Sequence, residues 1–218
     1  MLVLTWNLFH GRSVPDAPRE QLADFAARLA GWEWDVALLQ EVPPWWAPTL
    51  GRASGASART ALTSRNWLLP VSRWAARRRP DVIKSWGGGA NAILVRNEAI
   101  AEHRVRTLRA WPERRVVHGV RLERGWWVGN LHATAHSEPR AQADLELAAR
   151  TATEWSAGAP VVLGGDLNLR APVLHGFTHV AGHSVDHLFV RLANAAAPGR
   201  TLDRGPLSDH LPLLAEVA

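Results

Sequence analysis

Short apolar runs that each stop at a polar residue recur along this 218-residue chain. The first run, residues 2–6, is followed by Asn7, and the second, residues 36–40, is followed by Glu41. Apolar runs of this length, bounded by polar residues, are typical of buried β-strands, whereas helices need longer periodic segments. The chain is therefore predicted to be rich in strands, and it is long enough to bury a sizeable core.

The other segments divide into strands and helices by the period of their apolar residues. Further strands are predicted at residues 92–96, 116–122, 126–131, 161–163, 186–190 and 213–217. Helices are predicted after Asp16 and Pro18, after Trp45, over residues 67–79 and over residues 138–155. The strands come in pairs between the helices. This order favours an α/β fold of two packed sheets with helices outside over a doubly wound parallel sheet.

Composition narrows the class of protein. Hydrophobic residues make up 47% of the chain, which is too many for a disordered protein. No apolar run approaches the roughly 20 residues that a membrane-spanning helix needs, and the N-terminus does not resemble a signal peptide. We therefore expect one cytoplasmic domain over residues 1–218, with no membrane span and no evident obligate protein partner. Because the chain has no cysteine, any metal must be held by oxygen or imidazole.

Arginine supplies almost all of the positive charge of the chain. The formal net charge is +5, and Lys84 is the only lysine. Arginine binds phosphate through paired hydrogen bonds, so the charge suggests a polyanionic partner, although genome composition explains it equally well. Two arginine-rich segments, residues 73–79 and 104–115, are either phosphate contacts or solvated surface.

Polar side chains follow or precede the predicted strands at their ends. This set comprises Asn7, Glu41, His132, Asp166, Asn168, Asp186, Asp209 and His210. If these strand ends lie on one side of the sheets, a single cleft collects amides, carboxylates and imidazoles. On extended backbone, Asp166 and Asn168 would point to the same side, because side chains two apart share a face.

The residue types suit one class of chemistry. Hard oxygen ligands without cysteine favour Mg²⁺, or alternatively Mn²⁺, which shares its coordination shell with substrate phosphate. Histidine can take a proton near neutral pH or carry positive charge toward a phosphate oxygen. Each residue alone also has a structural interpretation: Asn7 as a strand cap, Asp166 and Asn168 as an Asx-turn, His132 as a core histidine.

Five motifs in order resemble the endonuclease/exonuclease/phosphatase superfamily, which includes pancreatic-type deoxyribonucleases, apurinic endonucleases, neutral sphingomyelinases and inositol-polyphosphate phosphatases. The motifs are Thr5-Trp6-Asn7, Leu39-Gln40-Glu41, Asn130-Leu131-His132, Gly165-Asp166-Leu167-Asn168 and Ser208-Asp209-His210-Leu211-Pro212. The resemblance implies a four-layer α/β/β/α sandwich, in which two mainly antiparallel sheets are flanked by helices.

The resemblance also implies a metal site. It makes Glu41 the principal Mg²⁺ ligand, with Asn7 and Asp209 close to the metal.

The catalytic roles implied by the resemblance concern the remaining residues. Asp166 would orient or deprotonate the attacking water, and Asn168 would hold a phosphate oxygen. His210 would be a general base or a phosphate-binding imidazole, oriented by Asp186. His132 would contact the phosphate and help to neutralise its charge.

Three functions remain open at this point. The first is a nuclease that cuts DNA or RNA by in-line attack of an activated water. The alternative is a phosphodiesterase or phosphatase acting on a small molecule or lipid headgroup. The third is a binding protein of the same fold without turnover. His10 and Arg12, which follow Asn7, are candidates for the mouth of the cleft.

Overall fold

The computed structural model describes residues 1–63 and 88–218. The predicted helix over residues 67–79 and the arginine-rich segment 73–79 lie outside the described residues.

Twelve strands of the described chain form two six-stranded sheets. In spatial order, the first sheet contains β11 (Ala195–Thr201), β12 (Leu213–Val217), β1 (Leu2–Asn7), β2 (Val36–Val42), β4 (Ala90–Val95) and β3 (Ser57–Leu62). The second contains β5 (Ile100–Arg109), β6 (Arg115–Leu122), β7 (Trp127–His132), β8 (Val161–Asp166), β10 (Asp186–Arg191) and β9 (Thr178–His183). Among these strands only β1–β2 and β7–β8 pair in parallel, so both sheets are mainly antiparallel as predicted.

Helices cover the outer faces of both sheets. They are α1 (Leu22–Gly31), α2 (Ala47–Ala53) and α3 (Glu138–Ser156), and a short 3₁₀ turn (Phe9–Gly11) follows β1. Phe25 of α1 and Leu50 of α2 pack with Leu4 of the first sheet, whereas Leu145 of α3 packs with Leu163 of the second. A third apolar core fills the space between the sheets. The predicted four-layer sandwich is therefore confirmed. No described helix is both long and apolar enough to cross a bilayer.

The central strands are apolar on both faces because each face contacts a different core. In β2, Val36 and Leu38 point toward the second sheet, and Ala37 and Leu39 point toward α1 and α2. A strand buried on both faces appears in sequence as a continuous apolar run, and these runs were predicted correctly.

Four strands were not predicted, and all four lie at the edges of the sheets. They are β3, β5, β9 and β11. Their side chains are largely exposed or half-buried, as in β11, where no residue is buried. An edge strand has fewer neighbours to bury it and often carries charged residues, so its sequence lacks a clear apolar pattern.

Polar side chains replace the apolar core between the sheets near one end of β2 and β7. Gln40 donates hydrogen bonds to Thr5 Oγ1 and Asn130 Oδ1, at 3.1 and 2.8 Å. Asn130 in turn donates to the carbonyls of Leu39 and Ala92. Both amides are fully buried. These bonds fix the two sheets relative to each other where β2 and β7 reach the predicted site.

The same polar layer contains a fully buried histidine whose titration should make the protein acid-sensitive. His118 contacts His103 and Asn130, and burial, together with the nearby His103, lowers its pKa to about 3. An unfolded histidine has a pKa of about 6.5, so between pH 3 and 6.5 the unfolded chain binds more protons at this site. Stability is therefore lost as the pH falls, by about 2 kcal/mol between about pH 7.5 and about pH 5.

Urea unfolding of the wild type and His118→Gln at both pH values tests this expectation. The wild type should lose about 2 kcal/mol more than the variant on acidification, whatever the variant loses at the higher pH. His136→Gln, which changes an exposed imidazole, controls for the general effect of replacing a histidine by glutamine. An undiminished acid loss in His118→Gln would show that another group is responsible.

Candidate active site

The strand ends of the first sheet bring four predicted site residues to one end of the sandwich. β1 and β2 are parallel, and Asn7 lies level with Gln40, next to Glu41. Asp209 and His210 immediately precede β12, which is antiparallel to β1. The start of β12 therefore lies beside the end of β1.

The second sheet brings three further site residues to the same end. In the parallel pair β7–β8, His132 lies opposite Asp166. Asp166 in turn lies opposite Asp186 at the start of the antiparallel strand β10. Hydrogen bonds and ion pairs connect these residues to Asn7 and His210 of the first sheet, so the two sheets together form one cleft.

Asp166 lies at the centre of this cluster and is 2% exposed. Its Oδ2 accepts a hydrogen bond from Asn7 Nδ2 at 2.8 Å, and its Oδ1 accepts one from the Asn168 backbone N–H at 3.0 Å. Its Oδ2 also lies 3.4 Å from Nε2 of His132 and 3.8 Å from Nε2 of His210. One carboxylate is therefore shared between two imidazoles.

His210 is held by a buried acid of the second sheet. Its Nδ1 lies 2.7 Å from Oδ2 of Asp186, which is 1% exposed. Burial alone would lower the pKa of His210, but the hydrogen bond to Asp186 and the charges of Asp186, Asp166 and Asp209 outweigh it and raise that pKa to about 9. At neutral pH the His210 ring is therefore protonated and directs Nε2 toward Asp166.

His132 has the opposite electrostatics. Burial lowers its pKa to about 4, although Asp166 and Glu41 oppose the shift. The ring is therefore neutral near pH 7, which favours a hydrogen-bonding role over the neutralisation of phosphate charge that the family resemblance implies. The site thus pairs one charged imidazole with one neutral imidazole across Asp166.

Glu41 lies at the other wall of the cleft, in a left-handed backbone conformation with φ of 50°. Its Oε2 is 3.1 Å from Nε2 of His10, and its Oε1 is 4.0 Å from Nδ1 of His132. Burial raises the pKa of Glu41, with His132 acting in the other direction and Asp166 adding to the rise. The predicted position of His10 at the cleft is therefore observed, because it contacts this carboxylate directly.

Asn7 is connected to Asp166 and to the turn that follows β1. Its Nδ2 donates to Asp166, while its Oδ1 accepts a hydrogen bond from the Phe9 backbone N–H at 2.9 Å. Both ends of the Asn7 amide are thus engaged, which fixes its orientation at the cleft.

Asp209 is the most open of the predicted carboxylates. Its side chain is 45% exposed, and its Oδ1 lies 3.9 Å from Nε2 of His210. Burial is the main reason that the pKa of Glu41 is raised, and the charge of Asp209 adds to that rise. Glu41 and Asp209 are therefore near enough for their charges to interact.

Ser208 is a site residue that sequence reasoning missed. Its hydroxyl donates to the Asn7 carbonyl at 2.6 Å and accepts from the His210 backbone N–H at 3.0 Å. It is fully buried and has a φ of 61°. Ser208 therefore attaches the loop that carries Asp209 and His210 to the end of β1. Its position beside Asp209 in the sequence was the available signal.

Asn168 corrects one geometric prediction. β8 ends at Asp166, and Asn168 has a φ of 51°, so the two residues do not share an extended segment as expected. Instead they form an Asx-turn, and Asn168 Nδ2 donates to the Ala133 carbonyl at 3.1 Å. The side chain thus connects the loop after β8 to the loop after β7.

Gly165 allows β8 to approach β7 closely enough for this arrangement. Its φ is 140°, and a Cβ atom at this position would collide with the Leu131 carbonyl oxygen. Only glycine avoids both the strained backbone and the collision. The glycine before Asp166 is therefore required to bring that carboxylate level with His132.

The donor set of this cleft fits a divalent cation. Glu41, Asp166 and Asp209 offer carboxylate oxygens, the ligands that Mg²⁺ and Mn²⁺ prefer. Among the described residues, ligand atoms of Asp166, Asp186 and His210 also lie within 4.8 Å of one another, but the protonated His210 ring has no lone pair for a metal. The Asp186 Oδ1 atom is buried without a hydrogen-bond partner in the described part of the chain. Burial is the main cause of the raised pKa of Glu41, and a cation bound beside this carboxylate would favour its ionised form.

A model of the Endonuclease/Exonuclease/phosphatase family matches residues 4–210. A search of curated protein sequences gives no significant match.

Solved structures with the same fold share little sequence with this chain. An endonuclease/exonuclease/phosphatase from Beutenbergia cavernae has a TM-score of 0.75 at 18% identity, covering 100% of this chain and 71% of its own. Truncated TDP2 from Caenorhabditis elegans scores 0.68 at 17% identity, covering 98% and 96%. A mannosyl-6-phosphatase from Bacteroides thetaiotaomicron scores 0.68 at 16% identity, covering 100% and 99%. The fold agrees with the sequence match over nearly the whole chain, and the protein belongs to the endonuclease/exonuclease/phosphatase family.

Proposed function

We propose that this protein is a divalent-metal-dependent phosphodiesterase that cleaves nucleic acid by in-line attack of water. The observation that carries the proposal is the position of Asp166 between two imidazoles, 3.4 Å from His132 and 3.8 Å from His210. Family membership supports the coarser conclusion, because proteins of this family hydrolyse phosphate esters.

The proposed step uses Asp166 as the group that orients water and accepts its proton. The water oxygen attacks phosphorus, the bond between phosphorus and the leaving oxygen breaks, and that oxygen takes a proton, for which the His210 imidazolium is a donor. His132, neutral near pH 7, donates a hydrogen bond to a phosphate oxygen, and Asn168 provides an amide for another. Asp186 fixes the His210 ring through its Nδ1.

A metal would bind on the Glu41 side of the cleft. Glu41 and Asp209, with the Asn7 amide close by, would hold Mg²⁺ or Mn²⁺, which supplies Lewis-acid neutralisation of the charge that builds on the phosphate. The burial of the Glu41 carboxylate, which raises its pKa, supports this assignment, because a bound cation would favour the ionised form.

The nucleic-acid substrate is favoured by the net charge of +5 and by the almost exclusive use of arginine. The second candidate is a phosphatase or phosphodiesterase acting on a small molecule. It is supported by the mannosyl-6-phosphatase, whose chain is covered almost completely by the same fold. The two candidates share the chemistry and differ in what surrounds the cleft.

A substrate panel with and without chelator tests the proposal. Single-stranded and duplex DNA and RNA, bis-p-nitrophenyl phosphate and mannose 6-phosphate are incubated with Mg²⁺ or Mn²⁺. We expect hydrolysis of the diesters, loss of activity in EDTA and recovery on adding metal back. Nucleic-acid binding should weaken steeply with salt, because counterions are released from the phosphates on contact.

Three outcomes would contradict the proposal in different ways. Hydrolysis of mannose 6-phosphate alone would favour the small-molecule candidate. Activity that persists unchanged in EDTA would remove the metal from the mechanism. Salt-sensitive nucleic-acid binding without hydrolysis of any substrate would indicate a binding protein.

A further inference from the structure

Among the tryptophans of residues 1–63 and 88–218, Trp111 alone is exposed. Trp111 is 83% exposed, more than any other large apolar side chain of the described residues. It lies in the turn between β5 and β6. Aromatic rings normally bury most of their area in a folded protein, so a ring left in solvent is a candidate contact for a ligand.

The hairpin that carries Trp111 rises from the active-site end of the second sheet. Val117 of β6 pairs with Leu131 of β7, so the start of β6 at Arg115 lies beside the chain just after His132. The guanidinium of Arg115 is close enough to influence the charge of His132. The base of the hairpin therefore forms part of the cleft rim.

A second contact holds the other strand of the hairpin to the same rim. Arg109, which pairs with Arg115, donates from Nε to Thr134 Oγ1 at 3.2 Å and forms an ion pair with the buried Asp144. Trp111 is two residues beyond this pair, in the bend that joins β5 to β6, and therefore lies at the active-site end of the second sheet. A nucleic acid that crosses the cleft toward β5 would meet its ring there.

The surroundings of Trp111 carry a small excess of positive charge. Residues 104–115 contain five arginines, and four of them, Arg104, Arg106, Arg109 and Arg115, form ion pairs with Glu102, Glu154, Asp144 and Glu113. The five arginines therefore exceed these four carboxylates by one positive charge. The residues that follow Trp111 in the turn are Pro112, Glu113 and Arg114, so charged residues of both signs are close to it in sequence. Insertion into a bilayer uses several apolar side chains together, whereas stacking on a base needs one flat ring.

We propose that Trp111 stacks on an unpaired nucleobase beside the scissile phosphodiester, which makes single-stranded or frayed nucleic acid the preferred substrate. The inference rests on the proposed function, because it specifies the substrate of the same cleft. Base–aromatic stacking contributes a factor of about 5 to 150 in affinity per base.

The test compares the binding of a DNA strand that carries its bases with the binding of a strand that lacks two of them but keeps the same phosphates. Fluorescence anisotropy measures binding of a labelled single-stranded DNA hexamer, and of the same hexamer with its two central bases replaced by abasic tetrahydrofuran residues. The measurements are made on the full chain in EDTA, so that no bond is cleaved. Wild type should bind the intact hexamer about 5 to 150 times more tightly. In Trp111→Ala this ratio should fall to near unity, and Trp111→Phe should retain most of it.

Leu192→Ala provides the matched control, because Leu192 is 60% exposed and lies in the link between β10 and β11. It should leave the ratio unchanged. An unchanged ratio in Trp111→Ala would overturn the proposal. If that variant instead lost binding to phosphatidylglycerol vesicles with its ratio intact, Trp111 would be a membrane contact.

The readout also separates this inference from the proposed function. Binding in EDTA does not depend on turnover. A Trp111-dependent base preference without hydrolysis in the substrate panel would contradict the phosphodiesterase and support the stacking site. Cleavage of DNA without a Trp111-dependent base preference would support the phosphodiesterase and contradict the stacking site.

Discussion

Replacing Asp166 by asparagine is expected to lower kcat by about a thousandfold, whichever phosphodiester is used. The change keeps the size of the side chain but removes its charge and its capacity to accept a proton. The imidazoles of His132 and His210 lie within 3.8 Å of this carboxylate, so their arrangement around the attacking water also depends on it. The measurement is steady-state hydrolysis of bis-p-nitrophenyl phosphate and of an oligonucleotide.

The amide of Asp166→Asn also has a structural cost that must be separated from the catalytic one. Both carboxylate oxygens accept hydrogen bonds, from Asn7 Nδ2 and from the Asn168 N–H. An amide NH₂ in either orientation faces a donor, which costs about 1–3 kcal/mol of stability. Urea unfolding measures this loss and shows whether the variant is folded under the assay conditions.

Asp35→Asn is the matched control for Asp166→Asn. Asp35 also accepts a backbone hydrogen bond, from Leu2 at 2.7 Å, but it precedes β2, at the opposite end of that strand from Glu41. Its replacement should reduce stability and leave kcat within about threefold. A folded Asp166→Asn that retained kcat within about tenfold would remove Asp166 from the proposed mechanism.

The second large effect is expected for Glu41. Glu41→Ala should weaken Mn²⁺ binding in titration calorimetry and lower kcat by about a thousandfold at fixed metal concentration, because a Lewis acid contributes several kcal/mol to the transition state. High Mg²⁺ or Mn²⁺ should restore part of the activity.

Glu33→Ala is the matched control for Glu41→Ala. Glu33 is exposed and lies between the end of α1 at Gly31 and the start of β2, away from the cleft. Its replacement removes the same charge, so metal binding and kcat should both stay at the wild-type level.

Glu41→Gln adds a readout that does not depend on turnover. Because burial raises the pKa of Glu41, the folded, metal-free protein holds this carboxylate ionised at a cost in free energy at neutral pH. The neutral amide should therefore raise the free energy of unfolding in EDTA while activity falls. Full activity in Glu41→Ala would contradict the assignment of Glu41 as the metal carboxylate. A less stable Glu41→Gln in EDTA would show that the ion pair with His10 outweighs the cost of burying the Glu41 charge.

The central part of the fold could be predicted because its strands are buried on both sides. Residues 36–40 and 161–163 are continuous apolar runs, and each belongs to a strand between two cores. The edge strands β5 and β11 gave no such signal, since their exposed side chains contact solvent and not a core. Their positions follow from hydrogen bonding to a neighbouring strand, which a local pattern does not contain.

The site could be predicted as a set of residues but not as an arrangement. The alternation of side chains predicts Asp166 and Asn168 on one extended segment, whereas the chain turns at Asn168 and its amide bonds to Ala133. The contact between His10 and Glu41 joins the turn after β1 to the end of the neighbouring strand β2. The assigned roles of these residues stay predictions until the variants are measured.

The residue types at the ends of the buried strands are a local property of the chain. They can be read from the sequence alone, and they indicate the class of chemistry. The presence of Gly165 before Asp166 can likewise be read from the sequence. The charge states of the two imidazoles depend instead on tertiary packing. His132 is neutral because it is buried, and His210 is protonated because Asp186 and two further carboxylates surround it. The packing of the two sheets determines which strand ends meet. It therefore determines how far each imidazole is buried and which charges lie beside it, and these two factors decide its pKa.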